Sequence, residues 1–418
     1  MSAPSIAIVG AGPAGLFTAQ ALRRALPTAP ITVIDRLPVP FGLLRYGVAP
    51  DHQGTKAIAR QFERLFEREN VRFCGGIEVG ADLPLETLRR GHTIVVLAAG
   101  LQGDRPLAIP GDDLPGIIGS GRLTRWFNDH PDEAGFDPPI GRRVAIIGNG
   151  NVALDIARIF AKSEAEFAGS DLSPRTLARI SAAGVEEIVV IGRGQADAAR
   201  FDPALLKEFT RLGETHVKAE VAGSEASQSP VATALREIDG TGALPGNARR
   251  RLTFRFGLTP KHIRSADGAL VLHLARTSGD GNEAAIATDT VITAIGFDAG
   301  RTGLPRTEWL QGDGTLAVRI APGLYASGWF RRGPRGTIPD NRAEAREVAD
   351  RIVADVSCGA VPAVSTDIQA DLFARAVSYA GWTAIRDREI AEAPAGRVRI
   401  KCPTAAQMRA IAAGAPAP

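Results

Sequence analysis

Two glycine runs carry the chemistry open to this sequence. Gly10-Ala-Gly-Pro-Ala-Gly15 has the spacing GxGxxG, and Gly148-Asn-Gly-Asn-Val-Ala153 has the spacing GxGxxA. The first glycine of such a run permits a tight turn, and the second lets a pyrophosphate reach the backbone. A small third residue lets the following helix pack closely on a strand. Each run therefore suits a dinucleotide held on the unpaired N–H groups of a helix start. Gly10, Gly12, Ala14 and Gly15 are the binding candidates in one, and Asn149, Gly150, Asn151 and Val152 in the other. The residues that follow differ in charge. Asp35 can accept hydrogen bonds from ribose hydroxyls, whereas its counterpart after the second run is Arg193. A carboxylate there would repel a 2′-phosphate, and a guanidinium can bind it through two bonds. The pair reads as a flavin site (FAD) and a pyridine-nucleotide site (NADP).

Each run needs strands and a helix to hold it. Ser5 to Gly10 reads as a buried parallel strand, Leu16 to Leu26 as a helix, and Ile31 to Ile34 as a second strand ending on Asp35. Arg143 to Gly148, a helix starting over Leu154 to Phe160, and Ile188 to Ile191 repeat that order. The stretch 162–184 is long for such a unit, and Asp171-Leu-Ser-Pro-Arg175 ahead of Leu177 and Ile180 predicts an extra capped helix. Thr93 to Gly100, Thr290 to Gly296 and Gly323 to Trp329 are further apolar strands, the last expected to rejoin the first sheet. The expected fold is α/β, with two Rossmann-like dinucleotide-binding domains. The NADP domain (104–296) is inserted in a discontinuous FAD domain (1–103 and 297–418).

Composition removes several classes. With 418 residues, 44% hydrophobic and 23% charged, the chain is long enough for two or three folded domains and is not disordered. A net charge of +3 falls far short of a nucleic-acid binder but suits an acidic partner. Cys74, Cys358 and Cys402 stand far apart, so no local dithiol, iron–sulfur or zinc framework is expected. No apolar run reaches the ~18 residues of a membrane helix. Because chemistry begins at Gly10, no removable leader is expected either. A cytoplasmic protein is expected, with no membrane and no nucleic acid, and its oligomeric state open.

Beyond the glycine runs, two narrower segments stand out: Val39-Pro-Phe-Gly-Leu-Leu-Arg-Tyr-Gly-Val-Ala-Pro-Asp-His52 and Gly328-Trp-Phe-Arg-Arg-Gly-Pro-Arg-Gly-Thr-Ile338. With them the chain resembles adrenodoxin reductase and the bacterial adrenodoxin-reductase-like ferredoxin–NADP reductases over nearly its whole length, most weakly over 215–285. The resemblance implies FAD contacts at Ala14, Asp35, Leu43, Val79, Trp329, Gly336, Thr337 and Ile338. It implies NADP contacts at Asn149 to Val152, Arg193 and Gly336, and it sets His52 beside the flavin near the nicotinamide. A lone histidine can equally be a packing or capping residue, and Trp329 a core side chain. Asp35 stands where the family usually has Glu.

Two departures matter. The family's pair of arginines after the second strand is here Arg193-Gly194, and a downstream Glu near the nicotinamide is here Leu205. Arg200 is a candidate replacement for the missing cation. The activity implied is hydride transfer from NADPH to FAD, then single electrons to a ferredoxin. A diaphorase without a protein partner, and a flavin-bound interaction protein with a decayed NADP site, remain as alternatives. Arg249 to Arg251, Lys207 with Arg211, and Arg331, Arg332 and Arg335 are the candidate basic sites for an acidic ferredoxin.

Overall fold

Strands Ile6–Val9 and Ile94–Leu97 are apolar and buried at every position, as strands of a parallel sheet covered on both faces must be. The computed structural model describes residues 3–221, 227–266, 268–277, 283–300, 303–362 and 373–414. It divides into two compact units. The first comprises Met1–Gly103, Asn128–Ala134 and Phe297–Pro418, and the second Asp104–Phe127 and Gly135–Gly296.

In the first unit a six-stranded sheet runs in the order Arg319–Ala321, Leu324–Ala326, Ile94–Leu97, Ile6–Val9, Ile31–Asp35, Val71–Gly75. Only the outermost pair, Arg319–Ala321 with Leu324–Ala326, is antiparallel. The strand from Leu324 thus does rejoin the first sheet, beside Ile94–Leu97. Alternate residues feed opposite faces. Ile6 and Ile8 pack with Phe17, Phe62 and Val348 beneath helices Pro13–Ala25, Ala59–Glu67 and Ile338–Ser357, while Ala7 and Val9 pack with Leu83 and Leu88 on the other side.

The second unit repeats the plan as an all-parallel sheet. Its order is Ile117–Gly119, Thr290–Thr293, Arg143–Ile147, Glu187–Ile191, Arg250–Arg255, Thr215–Glu220. The extra helix is present at Pro174–Ala183, capped by the Ser173 hydroxyl and ended by Gly184 in the left-handed conformation at φ 59°. A three-stranded antiparallel sheet (Leu258–Ala266, Ala269–Arg276, Glu283–Thr288) was not legible in the sequence, although Leu270, Leu272 and Leu274 alternate and are buried. Its strands fall largely in the segment where the family resemblance is weakest.

Helices Tyr379–Ala391 and Ala405–Ala413 pack into the first unit, burying Trp382 and Met408 in its core. The first of them holds the short helix Leu43–Tyr46 through a buried ion pair. Arg45 Nη2 lies 2.5 Å from Glu389 Oε1, with the two side chains 3% and 0% exposed. Glu389 Oε1 also accepts the Cys402 N–H at 2.9 Å. The excursion 128–134 joins the same region. The Asn128 side chain accepts from Lys56 at 2.6 Å and donates to the Val48 carbonyl at 3.1 Å, and His130 meets the Tyr46 ring edgewise at 4.7 Å.

Breaking a buried ion pair from one side leaves a charge without compensation, at about 3–5 kcal/mol. Glu389→Ala is therefore expected to lower the unfolding free energy by about that amount in urea denaturation, whereas a loss below about 1 kcal/mol would mark the pair as no stronger than a surface one.

Candidate functional site

In the first unit the turn after Ile6–Val9 is built by backbone contact. Gly10 sits at φ 110°, its N–H donates to the Ile34 carbonyl at 2.7 Å, and a Cβ there would lie 2.3 Å from the Ala98 oxygen. A Cβ on Gly15 would lie 2.0 Å from the Gly10 oxygen, so helix and strand can approach only with glycine at that position. At Gly12 the opposite holds: nothing stands within 4 Å of where a Cβ would be. The helix Pro13–Ala25 begins there with no capping side chain and no acid in its first turn. Elsewhere Ser173, Ser229 and Thr404 cap their helices. An open, uncapped helix start is what a diphosphate requires.

Two other segments close on this loop. The Phe41 N–H donates to the Ala11 carbonyl at 2.8 Å, and a Cβ on Gly42 would lie 2.9 Å from Gly12 Cα. Phe41 takes a positive φ of 84°, and Leu43, first residue of the short helix, is exposed. From the far end of the chain, Gly328 faces Ala14 so closely that a Cβ would stand 2.3 Å from the Ala14 methyl. Residues about 315 positions apart in sequence thus share one cradle.

Asp35 has a function the sequence did not disclose. Its Oδ2 accepts the Ala11 N–H at 2.7 Å and its Oδ1 the Leu37 N–H at 2.9 Å. Burial pushes this carboxyl above its usual range, against the pull of the two N–H groups and of Arg36. The carboxylate ties the glycine loop to the end of its strand, and each oxygen retains acceptor capacity for a ribose hydroxyl. Val79 is buried, with its backbone bridged to Leu83.

Trp329 stacks on Phe297 at 5.4 Å and 28°, and its Nε1 donates to the Gly336 carbonyl at 3.4 Å. The structure therefore brings Trp329 and Gly336, with Thr337 and Ile338 next in the chain, to one place. Thr337 caps the long helix with Asp340, its N–H and hydroxyl donating at 2.5 and 2.9 Å, and Ile338 is that helix's first residue. Buried Glu344 underpins the segment, accepting the Gly328 N–H at 2.9 Å, Arg331 at 3.1 Å, and Arg332. Half-buried His52 precedes the helix Gln53–Lys56, and its carbonyl accepts the Lys56 N–H at 3.1 Å.

The second unit uses the same construction. Gly148 sits at φ 135°, its N–H donates to the Ile191 carbonyl at 2.9 Å, and a Cβ would lie 2.1 Å from the Ala294 oxygen. Gly150 is open like Gly12, and Asn151–Ala161 again starts without a capping side chain or an acid. Asn151 and Val152 form its first turn, and Ala153 is fully buried beneath it. Arg193 is exposed, with its carbonyl held by the Thr277 hydroxyl at 2.7 Å. Leu205 lies half-buried in the short helix Pro203–Leu206.

The candidate cations separate clearly. Arg331 and Arg332 are paired with Glu344, Arg249 and Arg250 with Glu214, and Arg251 with Glu187. Lys207, Arg211 and Arg335 are exposed, and their side chains form no hydrogen bond or ion pair among the described residues. The three cysteines are free thiols, and burial pushes those of Cys74 and Cys402 up to about 11.

A model of the pyridine nucleotide-disulphide oxidoreductase family matches residues 4–191. The chain is 42% identical to cindoxin reductase of Citrobacter braakii, covering 97% of this chain and 90% of that protein. It is 31% identical to the mitochondrial NADPH:adrenodoxin oxidoreductase of Arabidopsis thaliana over 85% of this chain and 82% of that one. Among solved structures, Mycobacterium tuberculosis FprA in complex with NADPH superposes with a TM-score of 0.89. The identity there is 31%, covering 98% of this chain and 100% of that chain.

An asparagine at position 35 could accept only one of the two N–H groups and would set its own N–H against the other. Asp35→Asn is therefore expected to lower the unfolding free energy by about 1.5–3 kcal/mol. Urea denaturation measures it, and an unchanged midpoint would show that the tie is dispensable.

Proposed function

The chain belongs to the adrenodoxin-reductase family of NADPH-dependent flavoproteins, and on that premise we propose that it is an FAD-dependent ferredoxin–NADP+ reductase. One observation carries the reading: the two units build the same open glycine turn, and one leads to a carboxylate and the other to a guanidinium unpaired among the described residues. The first unit holds FAD, on Gly10 to Gly15, Asp35, Leu43, Val79 and the Trp329 and Gly336 to Ile338 cluster. The second holds NADP, with its diphosphate on Asn149 to Val152 and its 2′-phosphate at Arg193.

When bound, the flavin supplies the redox chemistry, accepting a hydride from NADPH and releasing electrons one at a time. The residues position and shield. Hydride transfer needs a reacting separation of about 3–3.5 Å and no protein nucleophile. Trp329, stacked on Phe297 and donating to the Gly336 carbonyl, offers a flat ring to line the reacting groups. His52 stands at the end of the segment that closes on the flavin loop, and both residues are assigned to the reacting end.

No two of Cys74, Cys358 and Cys402 form a CxxC pair, so electrons are taken to leave to a docked carrier. Free cysteines also suit a reducing compartment, and the cytoplasm is the proposed setting. The carrier is a small acidic iron–sulfur protein, and Lys207 and Arg211 are the cations proposed to meet it; Arg335, likewise without an ion pair among the described residues, lies in the segment assigned to FAD. Two relatives carry a carrier in their names, cindoxin and adrenodoxin, which supports the reading.

Anaerobic NADPH is expected to bleach the flavin absorbance, and a persistent yellow spectrum would overturn the proposal. Removing the Arg193 guanidinium should reduce the NADPH-over-NADH preference about ten- to a hundredfold, the weight of one charged hydrogen-bonding group. Cytochrome c reduction is expected to depend on added ferredoxin and to fall with salt. Lys207→Glu with Arg211→Glu should slow it further, whereas quinone reduction indifferent to ferredoxin and salt would point to a diaphorase.

A further inference from the structure

We propose that Arg200 is the second cation for the 2′-phosphate of NADPH, acting from the glycine-loop side in place of a cation at position 194. The inference rests on the NADPH reading above and names the residue that sharpens its specificity.

Arg200 is seven positions beyond Arg193, yet both flank the same residue of the nucleotide loop. On one side, a Cβ on Gly192 would lie 3.2 Å from Asn149 Nδ2, which sets the residue before Arg193 beside Asn149. On the other, the Arg200 N–H donates to the Asn149 carbonyl at 2.9 Å and Arg200 bridges to Gly150. Two residues on, the Asp202 N–H donates to Asn151 Oδ1 at 2.8 Å. The strip 200–202 is thus laid along the turn 149–151.

The connecting loop is anchored at both ends. The Gly194 carbonyl accepts the Gly257 N–H at 2.9 Å, Ala196 and Ala199 are buried, and Phe201 is wedged edgewise between Phe254 and Phe256. Both arginines are exposed, and neither guanidinium has a partner among the described residues. Of the nearby acids, Asp202 caps its own helix by accepting the Ala204 N–H at 2.9 Å, and Asp197 lies exposed within the loop.

Charge decides which phosphate Arg200 serves. The diphosphate already has the uncapped start of Asn151–Ala161 and the open backbone at Gly150. A 2′-phosphate carries about −1.5 to −2 charges at neutral pH, and Arg193 alone leaves it under-neutralised. A second guanidinium therefore gains most there. Position 194 has room for a side chain. Gly194 does not have a positive φ, and a Cβ would make only an ordinary 3.4 Å contact with Ala198.

The test compares adenosine 2′,5′-bisphosphate with 5′-AMP by calorimetry on the FAD-loaded protein, since only the first carries the 2′-phosphate. In Arg200→Ala the affinity for the bisphosphate is expected to fall about tenfold, with 5′-AMP unmoved and the NADPH-over-NADH preference falling in parallel. Arg200→Gln should lose as much, because the polar stem without charge does not suffice. Adding Gly194→Arg to Arg200→Ala should restore the discrimination. Equal losses for both ligands would assign Arg200 to the 5′-phosphate and overturn the inference, as would no loss for either. Should the unsubstituted protein fail to distinguish the two ligands and fail to bleach with NADPH, the functional reading itself would fall. Normal bleaching with an inert Arg200 sinks only this inference.

Discussion

At both nucleotide turns the first glycine touches the carbonyl that follows the neighbouring strand. Gly10 meets the Ala98 oxygen and Gly148 the Ala294 oxygen, each at a distance that admits no side chain. The contact is locked from two directions. The Ala98 and Ala294 N–H groups donate back to Val9 and Ile147, while the glycine N–H donates to the strand on its other side. Three strand ends are thereby drawn together, and the chain must turn sharply into a helix whose first N–H groups face open space. The diphosphate-binding roles proposed for the two units follow from that turn. A methyl group at Gly10 or Gly148 would separate the strand ends, in a backbone conformation that L residues rarely adopt.

Around this shared turn the two units diverge in how they are closed. In the first, Phe41 and Gly42 press on the loop, Gly328 abuts Ala14, and Asp35 grips Ala11. Helix Tyr379–Ala391 then holds the closing segment through Arg45 and Glu389. Such a cradle is enclosed from several sides, which suits a cofactor that stays. In the second, the strip 200–202 lies along the loop and the arginines at its margins are exposed. That arrangement suits a nucleotide that binds and leaves, with specificity resting on charge at the rim.

The same distinction applies to the basic residues. A run of arginines in sequence says little about the surface, because a nearby carboxylate offsets part of the charge that a partner would meet. Arg331 and Arg332 serve Glu344 beneath the Trp329 segment, and Arg249 to Arg251 face Glu214, just ahead of one neighbouring strand, and Glu187 on the other. Among the described residues no carboxylate pairs with Lys207, Arg211 or Arg335. Which cations can steer an acidic carrier is a property of pairing, not of abundance.

By itself the sequence determined the two glycine turns, their strands and helices, and the return of Gly323 to Trp329 to the first sheet. Those features follow from short-range rules: apolar runs of strand length, glycine spacing, and a Ser-Pro helix start. It also marked Asp35 and Arg193 as residues of opposite charge in equivalent places. Only the tertiary structure decided that both Asp35 oxygens hold backbone N–H groups, that residues 128–134 join the first unit, and that Glu389 anchors Arg45. It alone set Arg200 on the turn at Asn149. Each of these joins groups remote in sequence whose meeting depends on how sheets and helices stack. A buried charge or a backbone N–H takes whichever partner the packed chain delivers, and no local spacing encodes that choice.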